Sequence, residues 1–163
     1  MSKPASPSSP FTKAVIERLA VHLREQRELG GWSIRSLAQQ CRMSSNTIRV
    51  LEADHSRIPA LKTIDKIASA LNVETCSLLG PTVSARVDSR GPIEHVLAGN
   101  LVRERELRQW TQEKLSQASG VGREHLAHIE RGEQNPTLDT LVRLAVGLDI
   151  SVDALLKSRE LED

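Results

Sequence analysis

Residues 110–132 read WTQEKLSQASGVGREHLAHIERG. Thr111 caps a short helix that begins at Gln112, Gly120-Val121-Gly122 makes a tight turn, and a second short helix spans about 123–130. Leu115, Val121, Leu126 and Ile129 form a buried side, with the small Ala118 placed near the crossing of the two helices. Arg123, Glu124, Ala127 and His128 then point away from that side. An α-helix displayed in this way fits the major groove of B-DNA, where all base pairs are distinguishable.

The same pattern is written a second time, 78 positions earlier, the separation of Trp110 from Trp32. Leu19, Leu23, Arg27, Leu29, Trp32, Leu37, Ile48, Leu51 and Glu52 stand in register with Leu97, Leu101, Arg105, Leu107, Trp110, Leu115, Leu126, Ile129 and Glu130. The offset drops to 77 by Pro59 and Pro136, so the first copy has one extra loop residue. Register then resumes, with Leu61, Ile64, Ile67, Ala68 and Leu71 against Leu138, Leu141, Leu144, Ala145 and Leu148. A period this long denotes two complete units. The expected organisation is a Ser/Pro-rich disordered tail at 1–12, a first unit at 13–80 with its motif at about 34–53, a polar linker at 81–91, and a second unit at 92–158 with its motif at about 112–131. Each unit is expected to hold five helices. The fold class is all-α: two tandem domains joined by a short linker. That linker reaches about 40 Å at full extension and about 20 Å on average if flexible.

These residues resemble the lambda-repressor-like, Cro-type helix-turn-helix family, also called the xenobiotic-response-element family. The resemblance covers nearly all of 97–156 and, more weakly, 19–79. It implies that Gln112 opens the first motif helix against the DNA backbone, and that Arg123, Glu124 and His128, with Ala127 on the same side, face bases. It also implies a structural ion pair between Arg105 and Glu130, and the same pair between Arg27 and Glu52. In the first copy Ser44 caps the recognition helix and is expected to bind DNA together with Ser45, Asn46 and Arg49, which the helix exposes. Asn can read adenine and Arg guanine. The first copy departs from the family pattern at Ile34, which replaces the Gln, and at Ala53-Asp54-His55, which replaces the Arg-Gly step.

Net charge is +1, but it is unevenly placed. Residues 11–80 carry 10 Lys/Arg and 7 Asp/Glu, while residues 92–156 carry 7 and 10. Two cysteines, Cys41 and Cys76, make no disulfide framework, and Cys41 aligns with Ser119 as a small core residue. His125 and His128 share a face but lack a third metal ligand. No catalytic constellation, cofactor motif or membrane-spanning run stands out. The expectation is a cytoplasmic, non-enzymatic, sequence-specific binder of double-stranded DNA, a repressor-like transcriptional regulator at an operator, without metal or cofactor. A homodimer is compatible with this reading. The alternative is a protein-interaction module, such as an antiactivator or antitoxin-like subunit, in which one copy docks a protein partner.

Overall fold

The computed structural model describes residues 9–54, 57–86 and 91–158. The first copy holds α1 (Pro10–Leu29), α2 (Ile34–Gln40), α3 (Ser45–Ala53), α4 (Leu61–Leu71) and α5 (Thr75–Leu79). The second holds α6 (Ile93–Leu107), α7 (Gln112–Ser119), α8 (Arg123–Glu130), α9 (Leu138–Leu148) and, in place of a fifth α-helix, a single 3-10 turn (Asp153–Leu155). Local chemistry explains most boundaries. Ser33, Ser44, Thr111 and Thr137 each accept a hydrogen bond from the amide three residues on, capping α2, α3, α7 and α9. The first helix starts inside the segment expected to be a tail. Pro10 occupies its first turn, where a missing N–H costs nothing, and Ser9 Oγ accepts from Thr12 N at 3.1 Å. The rest of that segment, 1–8, lies outside the described residues.

The two copies share their backbone turns even where the residues differ. Gly31 and its counterpart Gln109 both have positive φ, as do Arg42 and Gly120, and Asn72 and Asp149. A left-handed conformation costs a non-glycine residue about 1–2 kcal/mol, so each copy carries that cost at a different one of the first two corners and both carry it at the third. The corner at Gly132 has no left-handed counterpart, since Asp54 is extended.

The two copies do not keep separate cores. One large cluster takes Ile16 and Leu19 of α1, Leu61 and Ile64 of α4, and Leu78 and Leu79 of α5 from the first copy. It joins them to the whole interior of the second: Leu97, Leu101, Leu115, Leu126, Leu141, Leu155 and their neighbours. A smaller cluster, Leu23, Leu37, Ala38, Cys41, Ile48, Leu51 and Ile67, lies under α2 and α3 alone. Ala118 is exposed, contrary to its expected place at a helix crossing. One helical step further, Ser119 is buried, and Gly147 of α9 lies so close that a Cβ there would sit 2.9 Å from the Ser119 Cα. The close approach is therefore between α7 and α9.

The copies meet about a pseudo-two-fold axis. Leu61 N donates to Pro136 O at 2.9 Å, and Leu138 N donates to Pro59 O at 2.8 Å. These bonds exchange into one another under the 77-residue offset, and Ala60 pairs with its own counterpart, Thr137, as an antiparallel bridge between them. Such reciprocity is the signature of an isologous interface, here within one chain. Around the axis, Lys62 N donates to Asn135 Oδ1 (2.9 Å), Lys62 Nζ pairs with Glu94 Oε1 (2.8 Å), and the buried Thr12 Oγ1 donates to Asp139 Oδ1 (2.8 Å).

Part of the expected flexible linker is docked. Glu74 N donates to Ser84 O and Arg86 N to Asn72 O, both at 3.0 Å, so Val73 and Ala85 pair as an antiparallel bridge. The left-handed turn at Asn72 opens the backbone groups between α4 and α5, and the linker supplies their partners. Arg86 adds a hydrogen bond to Ser69 Oγ. Residues 87–90 lie outside the described residues.

Candidate nucleic-acid interface

Each recognition helix is held in place by the same buried clamp. Arg105 Nε and Nη2 donate to Glu130 Oε1 and Oε2 at 2.7 and 3.1 Å, and Arg105 Nη1 donates to the Trp110 carbonyl at 2.8 Å. In the first copy Arg27 binds Glu52 at 2.6 and 3.0 Å and the Trp32 carbonyl at 2.9 Å. The side chains are 14% and 5% exposed in one pair, 12% and 5% in the other. One guanidinium thus ties the first helix of each copy, the start of its motif and the end of its recognition helix into one joint. The bidentate carboxylate raises the pKa of both arginines, against the opposing effect of burial. Trp32 and Trp110 are half-buried at the edges of the two cores.

The outer surfaces differ. On α8, Arg123 and Glu124 are exposed, while Ala127 and His128 are partly buried. Arg123 Nε lies 4.0 Å from Glu113 Oε2 of α7. His128 Nδ1 lies 2.8 Å from Glu133 Oε2, and Arg131 Nη2 lies 3.0 Å from the same oxygen. Arg131 first, then His128, hold the exposed Glu133 carboxyl down at about 2. Gln112 stands at the first position of α7, and its Nε2 donates to Glu130 Oε2 at 2.8 Å. On α3, Asn46 and Arg49 are exposed three residues apart and so share a face, Ser45 is partly buried beside them, and Ser44 Oγ is engaged as the cap of the helix. Ile34 packs on the small core where the second copy has Gln112, and Arg24 approaches Glu52 instead, 3.9 Å from Oε2. His55 lies outside the described residues.

Several members of this surface were not legible beforehand. Glu133 follows the end of α8, where helical periodicity no longer says which way a side chain faces. Arg143 of α9 reaches across to the turn, donating to the carbonyls of Ser119 and Gly120. Ser116 Oγ also bonds that turn, at Val121 O, 2.7 Å away. Cys41 is a buried thiol whose pKa is raised by burial. Among the described residues no group of three His, Cys, Asp or Glu side chains is placed to hold a metal. No described helix is long and apolar enough to cross a membrane.

Residues 23–78 and 101–155 each match the family model described as Helix-turn-helix. The chain belongs to this family. Three relatives align with 54 to 71 residues of this chain. The control protein C.SmaI of Serratia marcescens is 38% identical over 71 residues, 44% of this chain and 84% of that protein. The HTH-type transcriptional regulator SutR of Escherichia coli (strain K12) is 39% identical over 54 residues, 33% of this chain and 30% of that protein. An uncharacterized HTH-type transcriptional regulator of Sinorhizobium fredii, y4dJ, is 38% identical over 56 residues, 34% of this chain and 73% of that protein. No solved structure matches the chain. Membership and relatives together support DNA binding in transcription regulation for this helix-turn-helix protein.

Proposed function

We propose that this helix-turn-helix protein regulates transcription by binding double-stranded DNA sequence-specifically at an operator, as a covalent pseudo-dimer in which each copy addresses one half-site. The observation that carries this reading is the reciprocal pair of backbone bonds, Leu61 N to Pro136 O and Leu138 N to Pro59 O, about the Ala60–Thr137 bridge. Helix-turn-helix proteins of this type read two half-sites about 34–36 Å apart through a two-fold pair of recognition helices. Here one chain supplies both. The relative C.SmaI supports the comparison, because 71 aligned residues take up 84% of it, the length of a single copy.

The half-sites are non-identical because the displayed chemistry differs. Arg123 suits guanine, Glu124 accepts from cytosine, Ala127 leaves room for a thymine methyl, and His128 completes the surface. Ser45, Asn46 and Arg49 offer hydroxyl, adenine-type and guanine-type contacts instead. Gln112 contributes to the backbone and not to sequence.

Selection of bound sites from random DNA with the full chain, followed by footprinting, tests this. Two protected major-groove segments on one face are expected at one chain per site. Arg123→Ala and His128→Ala should relax specificity in one segment by about 1–3 kcal/mol each, Asn46→Ala and Arg49→Ala in the other, and Gln112→Ala should weaken all sequences alike. A single protected segment indifferent to Asn46 and Arg49 would overturn the pseudo-dimer and leave the first copy as a site for a protein partner. Deleting the first copy is a poor substitute, since its α1, α4 and α5 complete the core of the second.

A further inference from the structure

The two recognition surfaces manage charge in opposite ways. On the second copy Arg123, His128 and Arg131 each stand beside a carboxylate: Glu113 at 4.0 Å for Arg123, and Glu133 at 2.8 and 3.0 Å for His128 and Arg131. Glu124 is exposed between them on α8. On the first copy the counterparts of Glu113 and Glu124 are Arg35 and Asn46. Arg35, Arg42 and Arg49 are exposed and have no ion-pair partner among the described residues. The acidic residue that follows its recognition helix is Asp54, the C-cap of α3.

This arrangement bears on specificity. Sequence-independent affinity for DNA comes from cations that neutralise phosphates and release counterions. An arginine already beside a carboxylate gains less from a phosphate, and the carboxylate itself repels it. At a correct site, base contacts add to the phosphate contacts and outweigh these exposed, individually weak pairs. At a random site they do not. Discrimination built on repulsion of the wrong partner works in this way.

Resting on the DNA-binding reading above, we propose that Glu113 and Glu133 are specificity-determining carboxylates of the second copy. They keep Arg123, His128 and Arg131 from binding phosphate at random, while Arg35 and Arg42 of the first copy, without an ion-pair partner among the described residues, add a sequence-independent grip beside the base contacts of Asn46 and Arg49.

The experiment measures binding of the full chain to a selected duplex and to a random duplex of equal length, across a salt series. Glu113→Gln combined with Glu133→Gln should tighten binding to the random duplex by about three- to tenfold and steepen its salt slope by about one to two. The selected duplex should gain less, so the specificity ratio falls. Arg35→Ala and Arg42→Ala, each alone, should weaken random binding more than Arg123→Ala does. Glu17→Gln, which removes one charge from the exposed side of α1, should change neither duplex. The proposal is overturned if the double Glu variant leaves random affinity and slope unchanged, or if Glu17→Gln raises them equally, making net charge the cause. Should the wild-type chain prefer no duplex at all, the DNA-binding reading itself fails. A wild type that discriminates while the Glu variants match it sinks the carboxylate proposal alone.

Discussion

The two copies agree where a recognition helix must be held and differ where it must be read. The clamp of Arg, Glu and Trp carbonyl is reproduced atom for atom, within about 0.1 Å in each distance. Three left-handed corners also coincide, although Arg42 stands where the second copy has Gly120 and Gln109 where the first has Gly31; the fourth, at Gly132, does not, since its counterpart Asp54 is extended. By contrast, the displayed residues share almost nothing. Ser45, Asn46 and Arg49 face Arg123, Glu124 and Ala127 in the alignment. Anchorage also differs. The second motif lies on the large shared core, whereas α2 and α3 sit on a small cluster of their own. A duplicated domain thus keeps its buried electrostatics while its surface and its connection to the rest of the molecule diverge.

The largest effect expected from testing this comparison is at the clamp. Glu130→Ala and Glu52→Ala should each cost about 3–5 kcal/mol, because each strands a mostly buried guanidinium. Similar losses in the two copies, read by denaturant unfolding, would confirm the clamps as equivalent. A variant whose melting curve overlays the wild type would show that copy to need no clamp.

Leu101→Ala and Leu23→Ala remove the same atoms from equivalent, fully buried positions. Each should cost about 2–5 kcal/mol where it acts. Leu101 belongs to the shared core, so its loss should lower the stability of the whole chain. Leu23 belongs to the small cluster, so its loss should open α2 and α3 while the amides of α6–α9 keep their protection from hydrogen exchange. Uniform loss of protection across both copies in Leu23→Ala would erase the distinction.

Asn135→Ala tests the dependence of one copy on the other. Ala60 offers α4 no side-chain cap, and Asn135 Oδ1 from the second copy accepts from Lys62 N in its first turn. The loss should be about 1 kcal/mol, and exchange should rise at the start of α4, not of α9. Faster exchange at α9 instead would reverse the assignment.

The smallest effect concerns the Lys62–Glu94 pair beside the axis. Lys62 holds the Glu94 carboxyl below its ordinary value. A lowered folded-state value means stability that is present above the unfolded carboxylate range and is lost as pH falls through the folded value. Because Lys62 is half exposed, Lys62→Ala should cost only about 0.5 kcal/mol near neutrality. The gap between variant and wild type should close as the solution is acidified. A gap that stays constant to low pH would show that the lysine contributes packing, not charge.

Much of this molecule is legible in its residues. The motif helices follow from Ser and Thr caps and apolar spacing, because capping and periodicity act within one or two turns. The family resemblance implies the pair of Arg105 with Glu130, and the repeat carries it to Arg27 and Glu52. Register does not guarantee burial, however: Leu29 and Leu107 recur in step and are 80% and 65% exposed at the ends of α1 and α6. The residue pattern predicts Ala118 near the helix crossing, whereas it faces outward and Ser119 is the buried residue, a shift of one residue on a short helix. Glu133 and Arg143 joined the site from outside the motif, where no local rule orients them.

By itself the sequence determined that there are two copies, where their motif helices begin, and what chemistry each recognition helix can display. These are properties of residue type and spacing. Only the tertiary structure decided that the copies form one body, that residues 83–86 dock instead of spanning freely, and that the copies meet through reciprocal backbone bonds. The bonds that settle this run between the amides of Leu61 and Leu138 and the carbonyls of Pro136 and Pro59. Backbone groups are nearly the same in every residue, so their choice of partner is set by where the packed helices bring them.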